Sequence, residues 1–376
     1  MMLRRLTILV AAATVLASGS AGAQGSVFAL RGMGWSARPV SSRTAGTAGA
    51  MAMFDPAMAL NPAAMSRWRS VAAWAVAAPT SREYKSPFGN ADLQTVRFPL
   101  IGFAAPVPPR TTLGFSLSDY LDRTWTLTQR DSMLLNGTME PYTDAGRSVG
   151  GVTDIQVAMA YRVHSGLQVG AAFHLYLGST RLTAQRVFDN TVYEQIIEQS
   201  STDFRGPGVG VGVSYVRGRL ELGLSGRLNG KLLSTNTGGN EAKTRLPAQL
   251  GLGLRWQPVS GVFLAGSAQY DAWSSADESL VSERALDVWS LAAGVEVLNV
   301  TLIKVRTPMR FGYRMRRLPF TSLGEAIEES GFAAGFGLNL ARDRATVDLS
   351  FERGSRETPQ AKETFNSIFV GLTVRP

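Results

Sequence analysis

From residue 70 onward, apolar positions alternate with small or polar ones at a period of two, and the alternating segments are joined by connections that run long, short, long, short. A period of two places successive side chains on opposite faces of a strand. About fourteen such segments are present: 70–79, 93–104, 111–127, 150–162, 167–188, 203–216, 219–233, 245–256, 261–273, 286–298, 306–318, 331–341, 345–353 and 364–374. The eighth is clear, with Leu250, Leu252, Leu254 and Trp256 on one face and Gln249, Gly251, Gly253 and Arg255 on the other. The eleventh sets Met309, Phe311, Tyr313 and Met315 against Arg310, Gly312, Arg314 and Arg316. Each segment reaches the roughly 9 to 11 residues that a tilted strand needs to cross a bilayer.

Alternation alone fits a soluble sandwich as well as a membrane barrel, but the connections separate them. Those after odd-numbered strands are long and polar, such as 129–149 and 234–244; those after even-numbered strands are tight, such as Arg217-Gly218. A transmembrane antiparallel up-and-down β-barrel has this asymmetry, with short periplasmic turns and longer outside loops. Its polar face lines the lumen and its apolar face meets lipid. An even strand count puts both ends of the barrel on the periplasmic side. Trp68, Trp256, Tyr270, Trp273 and Trp289 at segment ends fit interfacial girdles.

The first residues place the chain in the cell envelope. Arg4 and Arg5, an apolar run from Leu6 to Ala17 and the small-x-small step Ala21-Gly22-Ala23 form a secretory signal peptide over 1–23, so the expected location is the bacterial outer membrane. No later stretch holds eighteen uncharged apolar residues, which leaves strands as the only spanning elements. The formal net charge of +9 falls to about +7 without Arg4 and Arg5. Export and the scatter of arginines along the strands argue against nucleic acid, and favour outer-membrane lipid and lipopolysaccharide phosphates as counter-charges. With no cysteine, thiol chemistry and cysteine-based metal sites are excluded.

Between the leader and the first strand, residues 24–69 lack the two-residue period and are rich in Gly, Ala, Met and Pro. The segment is too apolar for a solvated tail. Joined to strand one at the periplasmic mouth, it is expected to fold back into the lumen as a hatch, leaving 70–376 as the barrel. Three stretches carry a resemblance: Arg43-Thr44-Ala45-Gly46-Thr47-Ala48-Gly49-Ala50, Phe54-Asp55-Pro56, and Leu60-Asn61-Pro62-Ala63-Ala64-Met65. Together they resemble the N-terminal hatch of the FadL-type outer-membrane transporters, with its small-residue stretch, Asp-Pro step and Asn-Pro-Ala motif. Residues 246–258, the corner Tyr270-Asp271-Ala272-Trp273-Ser274-Ser275 and the tail from Pro308 are similar to that family as well. The resemblance implies a plugged fourteen-stranded barrel that takes up long-chain fatty acids or other hydrophobic compounds, with ligand leaving sideways at a kink in the third strand. A compact barrel of this kind also resembles PorV-type proteins, which act in protein secretion or surface attachment.

Three groups of residues follow as candidate sites. In the hatch, Asn61 would hold the backbone, Pro62 set the bend and Ala63 allow close approach to the wall, with Phe54 and Asp55 upstream, so that this region closes or gates the lumen; alone, an Asn-Pro-Ala tripeptide is simply a turn. In strand three, the outward phase of Leu113, Phe115 and Leu117 would carry Asp119 and Arg123 onto the lipid face. Either the strand leaves the bilayer near Ser118, or a bulge resets the face and makes Ser118, Asp119 and Tyr120 a lateral gate. In the lumen, Arg310, Arg314 and Arg316 of strand eleven and Asp348 and Glu352 of strand thirteen would form a charge ladder across the small residues Ala333, Gly335, Gly337 and Asn339. It either stiffens the wall or binds an anionic headgroup.

Enzymatic readings find no support in the motifs. There is no Gly-x-Ser-x-Gly, the two histidines His164 and His174 fall in a turn and on the inner face of strand five, and residues 206–212 are a glycine-smoothed strand, not a phosphate loop. No cofactor and no metal cluster is expected. The expected function is passive uptake of a hydrophobic or amphipathic small molecule by a monomer. The competing readings are a scaffold for a secreted-protein partner and a structural porin-like barrel.

Overall fold

Fourteen antiparallel strands close into a single barrel in a computed structural model that describes residues 26–375 apart from 31, 39, 58–59, 88, 280–284, 299, 303–304, 323 and 341–343. The leader read over 1–23 lies outside the described residues. The strands are β1 (Ala72–Ser86), β2 (Gly89–Val107), β3 (Thr111–Asp122), β4 (Thr138–His164), β5 (Leu167–Phe188), β6 (Ile196–Arg217) and β7 (Leu220–Asn229), then β8 (Gln249–Val259), β9 (Val262–Asp271), β10 (Val288–Val297), β11 (Met309–Arg317), β12 (Glu328–Leu340), β13 (Ala345–Thr358) and β14 (Ala361–Val374). Each pairs with its neighbour in sequence, and β1 pairs with β14 from Ala73 opposite Val374 to Lys85 opposite Lys362, so the sheet has no beginning.

Alternation decides the faces. Val211 is 62% exposed and Leu250 59% exposed on the outside, while their neighbours Gly210, Gly212 and Gly251 turn inward and are buried. This apolar-out pattern suits lipid and not water. Trp256 and Trp289 stand on the outer surface as girdle residues. Trp68 and Trp273 do not: Trp68 stacks on Trp74, 5.3 Å between centroids, and Trp273 packs inside against Phe320 at 5.3 Å. Both sit at the end of a strand where the chain has already bent over the mouth, which periodicity cannot register.

The long outside connections are shorter than the alternation implies. The chain turns just after β1 ends at Ser86 and at 359–360 after β13, because both strands continue past the point where the apolar face ends. The stretch 129–149 is a hairpin, with Trp125–Leu135 paired to the upper part of β4. Its turn is Asn136-Gly137, both at positive φ (50° and 85°), the two-residue loop that matches strand twist. β4 runs 27 residues, and β5 and β6 22 each, about twice what crossing requires. Their upper halves form a sheet beyond the barrel, extended on one side by Trp125–Leu135 and on the other by Lys231–Asn236 with Glu241–Arg245.

The described residues of 26–68 lie inside the barrel. A short helix, Ser42–Gly46, starts at Ser41, whose hydroxyl accepts from Thr44 N, and a 3₁₀ turn, Pro62–Arg67, starts at Asn61. They rest on inward glycines in the half nearest the short turns. A side chain at Gly312 would collide with the Thr47 carbonyl, one at Gly170 with Pro62 and Ala63, and one at Gly253 with Met53 and Phe54. The smooth strips on the wall are the seat of the N-terminal segment.

Candidate functional site

The segment is fixed by its own polar groups before it meets the wall. Asp55, 3% exposed, accepts from Thr44 Oγ1 (2.7 Å), from Ala57 N (3.0 Å) and from Ser41, tying the helix to the chain that follows. Asn61, fully buried, donates from Nδ2 to Met53 O (3.0 Å) and Ser214 Oγ of β6 (3.2 Å), and its Oδ1 accepts from Ala63 N (3.1 Å). A buried amide with both ends satisfied fixes one arrangement, since any shift strands a polar group. Pro62 supplies the first residue of the turn, and Ala63 is small enough to sit against Gly170. Phe54 fills the space over Gly223 and Gly253.

The lumen charges form a chain of ion pairs that also holds the segment. Arg310 donates from Nε to Glu296 (2.8 Å) and from Nη1 to Asp348 (2.6 Å), crossing β12 at Gly335 and Gly337. Arg43 of the helix shares Glu296 (2.9 Å from Nε), and that carboxylate holds the Arg43 guanidinium well above its usual value. Arg314 donates to Glu352 (3.0 Å from Nε), which Arg38 also reaches (2.6 Å), and pairs with Glu329. Arg316 meets neither Asp348 nor Glu352; it pairs with Glu329 (2.5 Å), as does Arg356 (2.6 Å). Arg356 also pairs with Glu363, which accepts from Ser26 Oγ (2.8 Å). Of the further members, Glu296 falls inside a predicted strand, while Glu329, Arg356 and Glu363 lie where the strands run past their predicted ends, and nothing in the sequence told which strand faced which.

A second polar group lines the opposite wall. His174 Nδ1 lies 2.9 Å from Asp154 Oδ1, Arg227 donates to the other oxygen (3.0 Å), and Tyr176 donates to Asn229 (2.7 Å). Its members satisfy one another, which marks it as a wall brace.

The wall itself is incomplete. Pairing between β2 and β3 ends at Leu100 opposite Ser118, although β2 continues upward for eleven more residues to Gly89. Beyond that point the β3–β4 register shifts between Asp119 and Leu121, a bulge that leaves Tyr120 inward, 7% exposed, its ring centroid 4.5 Å from that of Tyr176 with the rings tilted. The free edge of β3 is taken by the N-terminal segment: Trp35 pairs with Asp122, Ser36 with Leu121, and Ala37 N donates to Tyr120 O (3.0 Å). Arg97 of β2 pairs with Asp122, its guanidinium 4.6 Å from the Trp35 ring centroid.

Cavities flank this strap. One in the wall is lined by Arg97, Asp119, Gly151 and Gly178. Behind it, a pocket shares Arg97 and Asp119 and reaches Trp35, Arg38 and Arg314. The next, about 90 Å³, shares Arg38 and Arg314 and is bounded by Tyr120, Arg227, Asp271 and Arg316, with Val40, Ala52, Met53 and Leu60 as its apolar side. Above, Trp273, Phe320, Met33, Leu232 and Leu246 form an apolar cap under the outer mouth. Ser118 and Asp119 thus border the gap, and Tyr120 faces the interior.

A closed fourteen-stranded barrel with an inward N-terminal segment and a break beside strand three has the FadL-type fold. The chain matches the sequence model of the BamG family over residues 2–222 and belongs to that family. Its fold is similar to that of a FadL homologue of Pseudomonas aeruginosa (TM-score 0.64, 14% identity, 91% of this chain and 99% of that one). It is also similar to the Pseudomonas putida toluene transporter TodX (0.59, 14%, 89% and 97%) and to the monoaromatic hydrocarbon channel CymD (0.58, 13%, 90% and 97%). No curated protein matches the chain.

Proposed function

We propose that this chain is an outer-membrane protein that lets a small hydrophobic molecule pass downhill through a barrel plugged by residues 24–69. The observation that carries the reading is the break in the wall at Leu100 and Ser118, backed by successive pockets that lead past the Trp35-Ser36 strap to the space above Met53. Ser118, Asp119 and Tyr120 would form the side of the exit, and the Asn61-Pro62-Ala63 turn the part of the hatch that shifts. Passengers resembling long-chain fatty acids are the expectation from the sequence. The ladder favours uncharged ones, because Arg38, Arg310, Arg314 and Arg316 are each already engaged with a buried carboxylate. The toluene transporter and the hydrocarbon channel among similar folds support the same class.

The test is uptake into vesicles carrying the purified barrel. Toluene should enter faster than into protein-free vesicles and oleate should compete weakly. Rates equal to those of empty vesicles for both, or a large steady ion conductance in a planar bilayer, would sink the proposal. The second reading, a scaffold for a secreted protein, is favoured by the sheet that stands above the barrel, where Leu134 is 66% exposed, and by the turn joining β5 to β6, where Val192 is 82% exposed. Specific retention of a secreted partner lost on trimming 128–147 would support it.

A further inference from the structure

The two ends of the barrel differ in charge. At the outer end both signs occur side by side, as in Arg130 with Asp189, Arg186 with Asp144 and Arg317 with Glu328. At the end with the short turns, the exposed charged side chains among the described residues are arginines: Arg69 before β1, Arg110 between β2 and β3, Arg217 at the end of β6, Arg219 before β7, and Arg344 before β13. None of these five pairs with a carboxylate among the described residues, and no exposed Asp or Glu among them lies at these turns. They spread round the rim instead of gathering on one side.

Their position relative to the apolar belt identifies what they meet. Tyr161, Tyr215 and Trp256 stand on the lipid face with 41–47% exposure, within a few residues of the turns. Aromatic side chains of this kind mark the headgroup boundary. Two residues further along a strand is about 7 Å, which brings Arg217 from the ring level of Tyr215 to the level of lipid phosphates. Two of the guanidinium groups are held in the plane of the rim by carbonyls of the adjacent turn: Arg110 donates to Val163 O (3.0 Å) and Arg219 to Pro258 O (2.8 Å). Each keeps further donors in the fork geometry that takes two phosphate oxygens at once.

We infer that this rim binds the phosphates of anionic glycerophospholipids in the periplasmic leaflet. The inference rests on the outer-membrane reading and on the short turns facing the periplasm. An acidic periplasmic protein would meet the same charges, but it has no need of basic groups at several separate turns or of aromatic residues at matching depth, whereas a lipid annulus needs both.

The experiment embeds the full chain in nanodiscs of equal phosphatidylethanolamine and phosphatidylglycerol and counts retained lipids by native mass spectrometry. Phosphatidylglycerol should be enriched about ten-fold, and a variant carrying R69Q, R110Q, R217Q, R219Q and R344Q should lose that preference, each basic group near a membrane surface contributing by itself. The outer-end changes Arg147→Gln and Arg181→Gln should leave it in place. A heat-modifiable barrel that retains the two lipids equally overturns the inference alone, and binding of poly-glutamate by such a barrel would point to a protein partner instead. A chain that forms no heat-modifiable barrel overturns the membrane reading and this inference with it.

Discussion

Glu329 shows how much a single side chain carries in this lumen. It is buried against Arg314, Arg316 and Arg356, so its carboxylate is the shared counter-charge of three guanidinium groups taken out of water. Removing one partner of a buried pair costs about 3–5 kcal/mol because the remaining charge is stranded. Glu329→Gln should therefore lower barrel stability by about that amount in a gel-shift melting series, while a substitution of exposed Glu357, paired on the surface with Lys362, should change it by less than about 1 kcal/mol. Equal effects would remove the distinction between the two. A different kind of constraint acts at Gly312, where any side chain runs into the Thr47 carbonyl. Gly312→Val should leave the barrel formed and unseat the helix, read as new ion conductance. The inward phase of Gly312 was readable in the sequence, since period two fixes a face, whereas Glu329 fell before the predicted start of its strand at 331. Their partners were not readable, because the register between strands distant in the chain is set by closure.

At the level of elements, the alternating segments translate into strands with little change in the membrane and much change outside it. β5 begins and ends where the pattern places it, at Leu167 and Phe188. β4 and β6 overrun their predicted limits because, above the bilayer, both faces of a strand are wet and the apolar alternation that marks them disappears. A local signal was there nonetheless: Asn136-Gly137 is a two-residue hairpin turn in plain sequence. Asn61 is the corresponding point in the lumen, where a turn motif gains meaning from what surrounds it. Asn61→Ala removes the cap and leaves Met53 O and Ser214 without their donor. It should destabilise the packed segment by roughly 1–3 kcal/mol, seen as faster hydrogen exchange over 53–65 with the barrel strands unchanged. Trp35→Ala acts on the strap at β3. It should raise toluene entry into vesicles if the wall break is the route, and an unchanged rate would place the route elsewhere.

For the whole molecule, the fold is what an outer-membrane barrel must be, with every strand paired twice and glycine or small residues such as Ser214, Ser267 and Ser350 in the wall under the N-terminal segment. The lumen arginines are paired with buried carboxylates, and the exposed arginines of the rim are not. Deleting residues 26–69 should therefore leave a heat-modifiable barrel that conducts ions, and loss of the barrel itself would show that the segment is part of its core. The contacts of that segment also set an order of assembly. Ser42 bonds to Asp348 O and Phe369 O, Arg43 to Glu296 and Arg38 to Glu352, all in the last five strands. The segment before the first strand must wait for the part synthesised last, and the seam between Ala73 and Val374 shuts beside it. An insertion machine that releases this protein early would release it empty.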